Sequence, residues 1–88
     1  MTQKTIVLIV AGKEMTFVPD ADMYGEYIGS SAQGLIADAS HNLVMQAVAD
    51  ESKEEVRTLL DSNVGAAIQL AANIVKNYAP KIAITVKK

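Results

Sequence analysis

A histidine beside a hydroxyl is the first place to look for chemistry in this chain, and His41 directly follows Ser40. Such a pair would serve base-assisted nucleophilic attack, which needs the ring to face the hydroxyl and an acid to orient the ring. Neighbouring residues on a helix do not face each other, and no acid stands at an orienting spacing. His41 therefore reads as a polar residue in the first turn of a helix. A second pattern is Asp20, Asp22 and Gly25, which match the first, third and sixth positions of a calcium loop. Tyr24 and Ser31 then occupy the fifth and twelfth positions, where a ligand and a bidentate Glu are required. The same acids suit the start of a helix. Gly12-Lys13 has the ending of a phosphate loop, but Val7 stands where its first Gly belongs and Glu14 where its hydroxyl belongs, so the pair reads as a turn. The sequence contains no Cys, which excludes disulfides and thiolate metal sites. The residues point to no enzyme, no cofactor and no metal.

With catalysis set aside, the question becomes what the apolar residues build. Lys4 to Ala11 (KTIVLIVA) is β-branched and apolar, and Gly12-Lys13 separates it from Glu14 to Val18 (EMTFV). The Gly in the first of two loop positions predicts a hairpin with a type II′ turn. At the other end, Lys81 to Lys87 places Ile82, Ile84 and Val86 on one side and Ala83, Thr85 and Lys87 on the other, the alternation of a strand with one buried face. Between them the period is helical. Asp20 or Asp22 caps a first helix bearing Met23, Tyr24, Tyr27 and Ile28, expected to be short or frayed beyond Ser30 because of its glycines. Ser40 is expected to cap a second helix with Leu43, Val44, Ala47 and Val48 inside. Ser52-Lys53-Glu54-Glu55 has the form of a capping box and opens a third, burying Val56, Leu59 and Leu60 and ending near Asp61-Ser62. A fourth follows Asn63 and reaches about Tyr78, with Ala67, Ile68, Ala71, Ile74, Val75 and Tyr78 on one stripe. Pro80 ends it.

The expected fold is one α+β domain over residues 1–88: an N-terminal β-hairpin, three to four helices, and a C-terminal strand completing a small three-stranded sheet. Its first strand poses a problem of faces. Ile6, Leu8 and Val10 point to one side, under the helices, while Val7 and Ile9 point to the other. A helix must cross to that side or another chain must cover it. Val7 and Ile9 are therefore candidate residues for self-association or partner binding. The small residues at the start of the fourth helix, Ala66 and Ala67, form a second candidate, since they would let another helix approach closely. The alternative for this stripe is packing within its own domain, and the two readings can hold at its two ends.

Composition narrows the partners. Half of the 88 residues are hydrophobic and only 5% aromatic, which suits close packing. The net charge of −2 gives no pull toward phosphate backbones, so nucleic acid is not expected as a ligand. The apolar run Thr5–Ala11 is too short to span a bilayer, so no membrane is expected and the cytoplasm is the expected compartment. Association is the one staple open to so small a core without disulfides, and a homo-oligomer is expected.

Several strings in the chain carry a likeness to known proteins. His41-Asn42-Leu43-Val44-Met45, Leu59-Leu60, Gly65 to Ala71 (GAAIQLA), Tyr78-Ala79-Pro80 and the closing Ile84 to Lys88 (ITVKK) resemble a family of bacteriophage tail assembly chaperones. The hairpin with Gly12-Lys13-Glu14 also fits, and the likeness is weakest from Gly25 to Asp38. The resemblance implies a non-structural phage or prophage protein that associates with the tape measure protein, keeps its long apolar helices from aggregating and helps recruit tail tube subunits. The alternative is a minor structural or tail completion protein of the virion, for which a similar composition would serve.

Overall fold

The computed structural model describes residues 4–87. Strand β1 (Ile6–Val10) and strand β2 (Lys13–Phe17) form an antiparallel hairpin in which Ile6 faces Phe17 and Val10 faces Lys13. The loop is Ala11-Gly12, with φ of 51° and 83°. Two positive values make a type I′ turn, whose twist matches that of the strands. The expected type II′ turn at Gly12-Lys13 is thus displaced by one residue, and Gly12 serves the second loop position.

Among the described residues four α-helices follow, with a single 3-10 turn (Asp50–Ser52) between the second and third. Helix α1 (Ala21–Ala32) is capped by Asp20, whose carboxylate accepts a 2.9 Å hydrogen bond from Met23 N–H. It continues past Ser30 and closes with Gly34 at φ 87°, where Gly34 N–H donates to Ser31 O and Leu35 N–H to Ser30 O. That is the paired closure of a helix on a left-handed glycine. Helix α2 (Ile36–Ala47) consequently begins four residues before Ser40, which lies buried in its interior and is no cap. Helices α3 (Lys53–Ser62) and α4 (Ala66–Tyr78) complete the order.

The capping box does not form. Ser52 has helical backbone angles (φ −104°, ψ −5°) and no capping bond from its side chain, because Ser52 Oγ accepts from Thr16 N–H at 2.9 Å. Glu55 is drawn elsewhere too, its Oε2 lying 3.8 Å from Lys13 Nζ. Tertiary pairing with the hairpin has taken both groups from the local motif.

The core gathers Ile6, Met15 and Phe17 from the hairpin with Val44, Val56 and Ile74 from the helices. The α4 stripe is turned relative to the expected one: Ala66, Leu70, Ala71 and Ile74 are buried while Ile68 is exposed.

Among the described residues the expected three-stranded sheet is not present. The sheet has two strands, and residues 81–87 carry no strand and are exposed throughout, with Ile82, Ile84 and Val86 retaining 74%, 78% and 81% of their accessible surface. Alternation states which face a strand would bury, but it supplies no partner edge. Here α4 runs back along β1, since Lys4 Nζ donates to Asn77 O at 2.7 Å while the first turn of α4 lies beside the other end of the strand. A strand continuing from Ala79 would have to reverse at Pro80 and pair with β1 in parallel, the slightly weaker mode.

Candidate partner-binding site

The register of the hairpin decides which backbone groups face outward. In a two-residue hairpin the residues flanking the loop are hydrogen-bonded to each other, and pairs alternate from there. Ile6, Leu8 and Val10 therefore bond across to β2, while the N–H and C=O groups of Val7 and Ile9 turn away from it. On β2 the outward-turning residues are Glu14 and Thr16. Thr16 is tied on both sides: its N–H donates to Ser52 Oγ, and its carbonyl accepts from Ala49 N–H at 2.9 Å. Val18 N–H, next along, donates to Ala47 O at 2.7 Å, and Phe17 bridges to Val48. Residues 47–52 thus seal the β2 edge from Thr16 to Val18, while the outward groups of Glu14, nearer the turn, meet no described residue. Along β1 no described residue takes that place.

The side chains repeat the asymmetry. Ile6 is buried and Leu8 and Val10 are half-buried under the helices, whereas Val7 and Ile9 retain 51% and 67% of their accessible surface. Their cross-strand partners are Thr16 and Glu14, so the outer face of the hairpin is a small aliphatic patch bordered by a carboxylate. Beside the open edge lies a groove of about 420 Å³. Leu8, Val10, Leu59, Ala66 and Leu70 line its apolar side, and Asn63, Gln69 and Asn73 give it a neutral polar side. No acid or base lines it. Asn73 is itself occupied, donating to Gln69 O at 2.9 Å. A site of this kind has apolar walls and a row of unpaired peptide groups, and suits a protein segment better than a charged small molecule.

Of the sequence-derived candidates, Ile9 and Ala66 meet in this groove. Val7 belongs to the outer face of the hairpin, and half-buried Ala67 is not among the groove's lining residues. Val64 on the groove rim was not legible from periodicity. It is fully exposed between Asn63 and Gly65, and an aliphatic residue lodged in a turn outside every stripe is the signal that could have marked it. Leu35 and Ile36, also exposed at the corner between α1 and α2, were missed in the same way.

The candidates for chemistry lie apart. Ser40 is buried while its neighbour His41 is exposed, so the hydroxyl and the ring point to different environments. The Asp20 carboxylate is committed to the α1 cap. Tyr24 packs against Tyr78 with ring centroids 5.9 Å apart and planes tilted by 48°, a contact that holds α1 to the end of α4. No described helix is long and apolar enough to cross a membrane.

A family model described as phage tail assembly chaperone matches residues 6–88. A solved structure of an uncharacterised protein from Bacillus stearothermophilus is similar in fold, with a TM-score of 0.74 over 96% of this chain and 90% of that one, at 17% identity. No curated protein matches the chain.

Proposed function

The chain belongs to the phage tail assembly chaperone family, and from that premise we propose that it acts by associating with the tape measure protein during tail assembly in the host cytoplasm. The tail tube protein is a further partner under this reading, and a homo-oligomer is its working form. Its action is binding, with no bond made or broken. The observation that carries the reading beyond the family is the uncovered aliphatic face of the hairpin, Val7 and Ile9, whose exposure gives a client's apolar helix a surface to lie on. The start of α4 at Ala66 and Ala67 is assigned to contacts between copies, where small side chains permit close approach.

Val7 and Ile9 retain 51% and 67% of their accessible surface, so covering what is left stabilises by about 2–3.5 kcal/mol before association costs are subtracted. Weak, reversible holding is the expected regime, as a factor that must later release its client requires. Co-expression with the long helical tail protein tests the reading. The client should stay soluble and co-purify with the chain, and purified virions should lack the chain. Stoichiometric incorporation into particles would instead establish a minor structural or tail completion role.

A further inference from the structure

Two unpaired features of this chain match each other. One is the β1 edge, where the peptide groups of Val7 and Ile9 face outward next to a groove walled by Leu8, Val10, Leu59, Ala66 and Leu70. The other is the segment Lys81–Lys87, whose three aliphatic side chains alternate with Ala83, Thr85 and Lys87 and remain exposed. An open edge calls for a strand, and an alternating segment with no partner is a strand in want of an edge.

We propose that the groove beside β1 is occupied by residues 81–87 of a second copy of the chain, added antiparallel to β1. Two such additions, exchanged about a two-fold axis, build a dimer. The lengths agree: seven extended residues span about 23 Å, and the five residues of β1 span about 17 Å. The faces agree as well. With Ile82, Ile84 and Val86 turned inward they pack beside Leu8 and Val10 and over the first turns of α4, filling the apolar side of the groove. Ala83 and Thr85 then lie next to Val7 and Ile9 on the outer face, enlarging it without covering it.

The direction of the strand explains why the partner is another copy. The segment leaves α4 next to the start of β1, where Lys4 Nζ reaches Asn77 O. Within one chain it could pair only in parallel after a reversal at Pro80, and it remains unpaired. From a two-fold related copy it enters from the opposite end and pairs antiparallel, the stronger mode, in an isologous and self-limiting exchange. Lys81 and Lys87 at the ends of the added strand discourage further strands from stacking on its outer edge.

Sedimentation of the full chain tests this without any client, so its outcome is separate from that of the tape measure reading. Wild type should pass from monomer to dimer as concentration rises to hundreds of micromolar. Two full-length variants should remain monomeric: Ile82→Lys with Ile84→Lys, which spoils the donated strand, and Ile9→Pro, which removes an outward N–H that β2 does not use. An equimolar mixture of the two variants should regain a dimer weaker than that of wild type, because the mixed pair keeps one of the two additions, an intact strand on an intact edge. Amide exchange at Val7 and Ile9 should slow as the wild type dimerises. The proposal is overturned if wild type stays monomeric, if the Lys variant dimerises as wild type does, or if the mixture associates no more than either variant alone. Protection of Val7 and Ile9 that is independent of concentration would overturn it too, since the segment would then pair within its own chain. Should Ile9→Pro fail to fold, the Lys variant and the exchange measurement still decide.

Discussion

Along β2 the outward-turning groups of Thr16 meet Ser52 Oγ and Ala49 N–H, and Val18 N–H beyond it meets Ala47 O. Along β1 the corresponding groups of Val7 and Ile9 meet no other described element, and the side chains of these two residues are exposed. One hairpin thus has a sealed edge and an open one. The sealed edge lies against the turn that joins α2 to α3, so it is what ties the hairpin to the helices. A domain that needed the hairpin only for stability would have reason to cover both edges, because an open edge invites pairing. In a chaperone, whose work is to bind chains that have not yet reached their final assembly, the uncovered outer face beside that edge is the surface we propose for that work.

The largest expected contrast is between Phe17 on the sealed side and Ile9 on the open one. Phe17→Ala should destabilise by about 3–5 kcal/mol, because the ring is completely buried and the helices around it relax only in part. Ile9→Ala should lie within about 0.5 kcal/mol of wild type, as exposed positions do. Urea denaturation of both measures the difference, and equal losses would show that the outer face is core.

Next in size is Ser52→Ala, expected to cost about 1–3 kcal/mol by leaving Thr16 N–H without its acceptor. Faster amide exchange at Thr16 should accompany the loss. Ser40→Ala sharpens the point with the opposite sign. Its buried hydroxyl has no hydrogen-bond partner among the described residues, so removing it should leave stability unchanged or raise it by up to about 1 kcal/mol. A comparable loss at both serines would mean that burial, not edge sealing, decides their cost. The smallest effect is expected at Glu55→Gln. Its ion pair with Lys13 is long and partly exposed, and the change in melting midpoint should correspond to less than about 0.5 kcal/mol. A loss above 1 kcal/mol would show that the charge pair with Lys13 holds the hairpin to α3 more strongly than its length and exposure suggest.

These pairs also mark what the sequence could disclose. The hairpin, the inward set Ile6, Leu8 and Val10, the exposure of Val7 and Ile9, and the extent of α3 follow from period and side-chain type, which are local. Ser52 misled because a capping box is a local possibility that a distant strand outbid: Thr16, 36 residues away in sequence, needed the same oxygen. Ser40 misled similarly, since the closure at Gly34 restarts the helix sooner than the next polar residue suggests. Residues 81–87 have the right alternation and no edge in their own chain, and an edge is a property of the whole fold that no window of seven residues contains. The groove was half legible. Ile9 and Ala66 stand out in the sequence for separate reasons, and only the antiparallel course of α4 against β1 brings them together.

If the outer face of β1 holds the client, as we propose, a titration of the tape measure protein will reveal it. Wild type and the double variant Val7→Lys, Ile9→Lys would be compared by co-purification and by calorimetry, with a thermal melt to establish that both are folded. The variant should melt within a few degrees of wild type and bind the tape measure protein at least tenfold more weakly, a loss of about 1.4 kcal/mol or more. A folded variant that binds as tightly as wild type would contradict it and move the client to the exposed corner of Leu35 and Ile36.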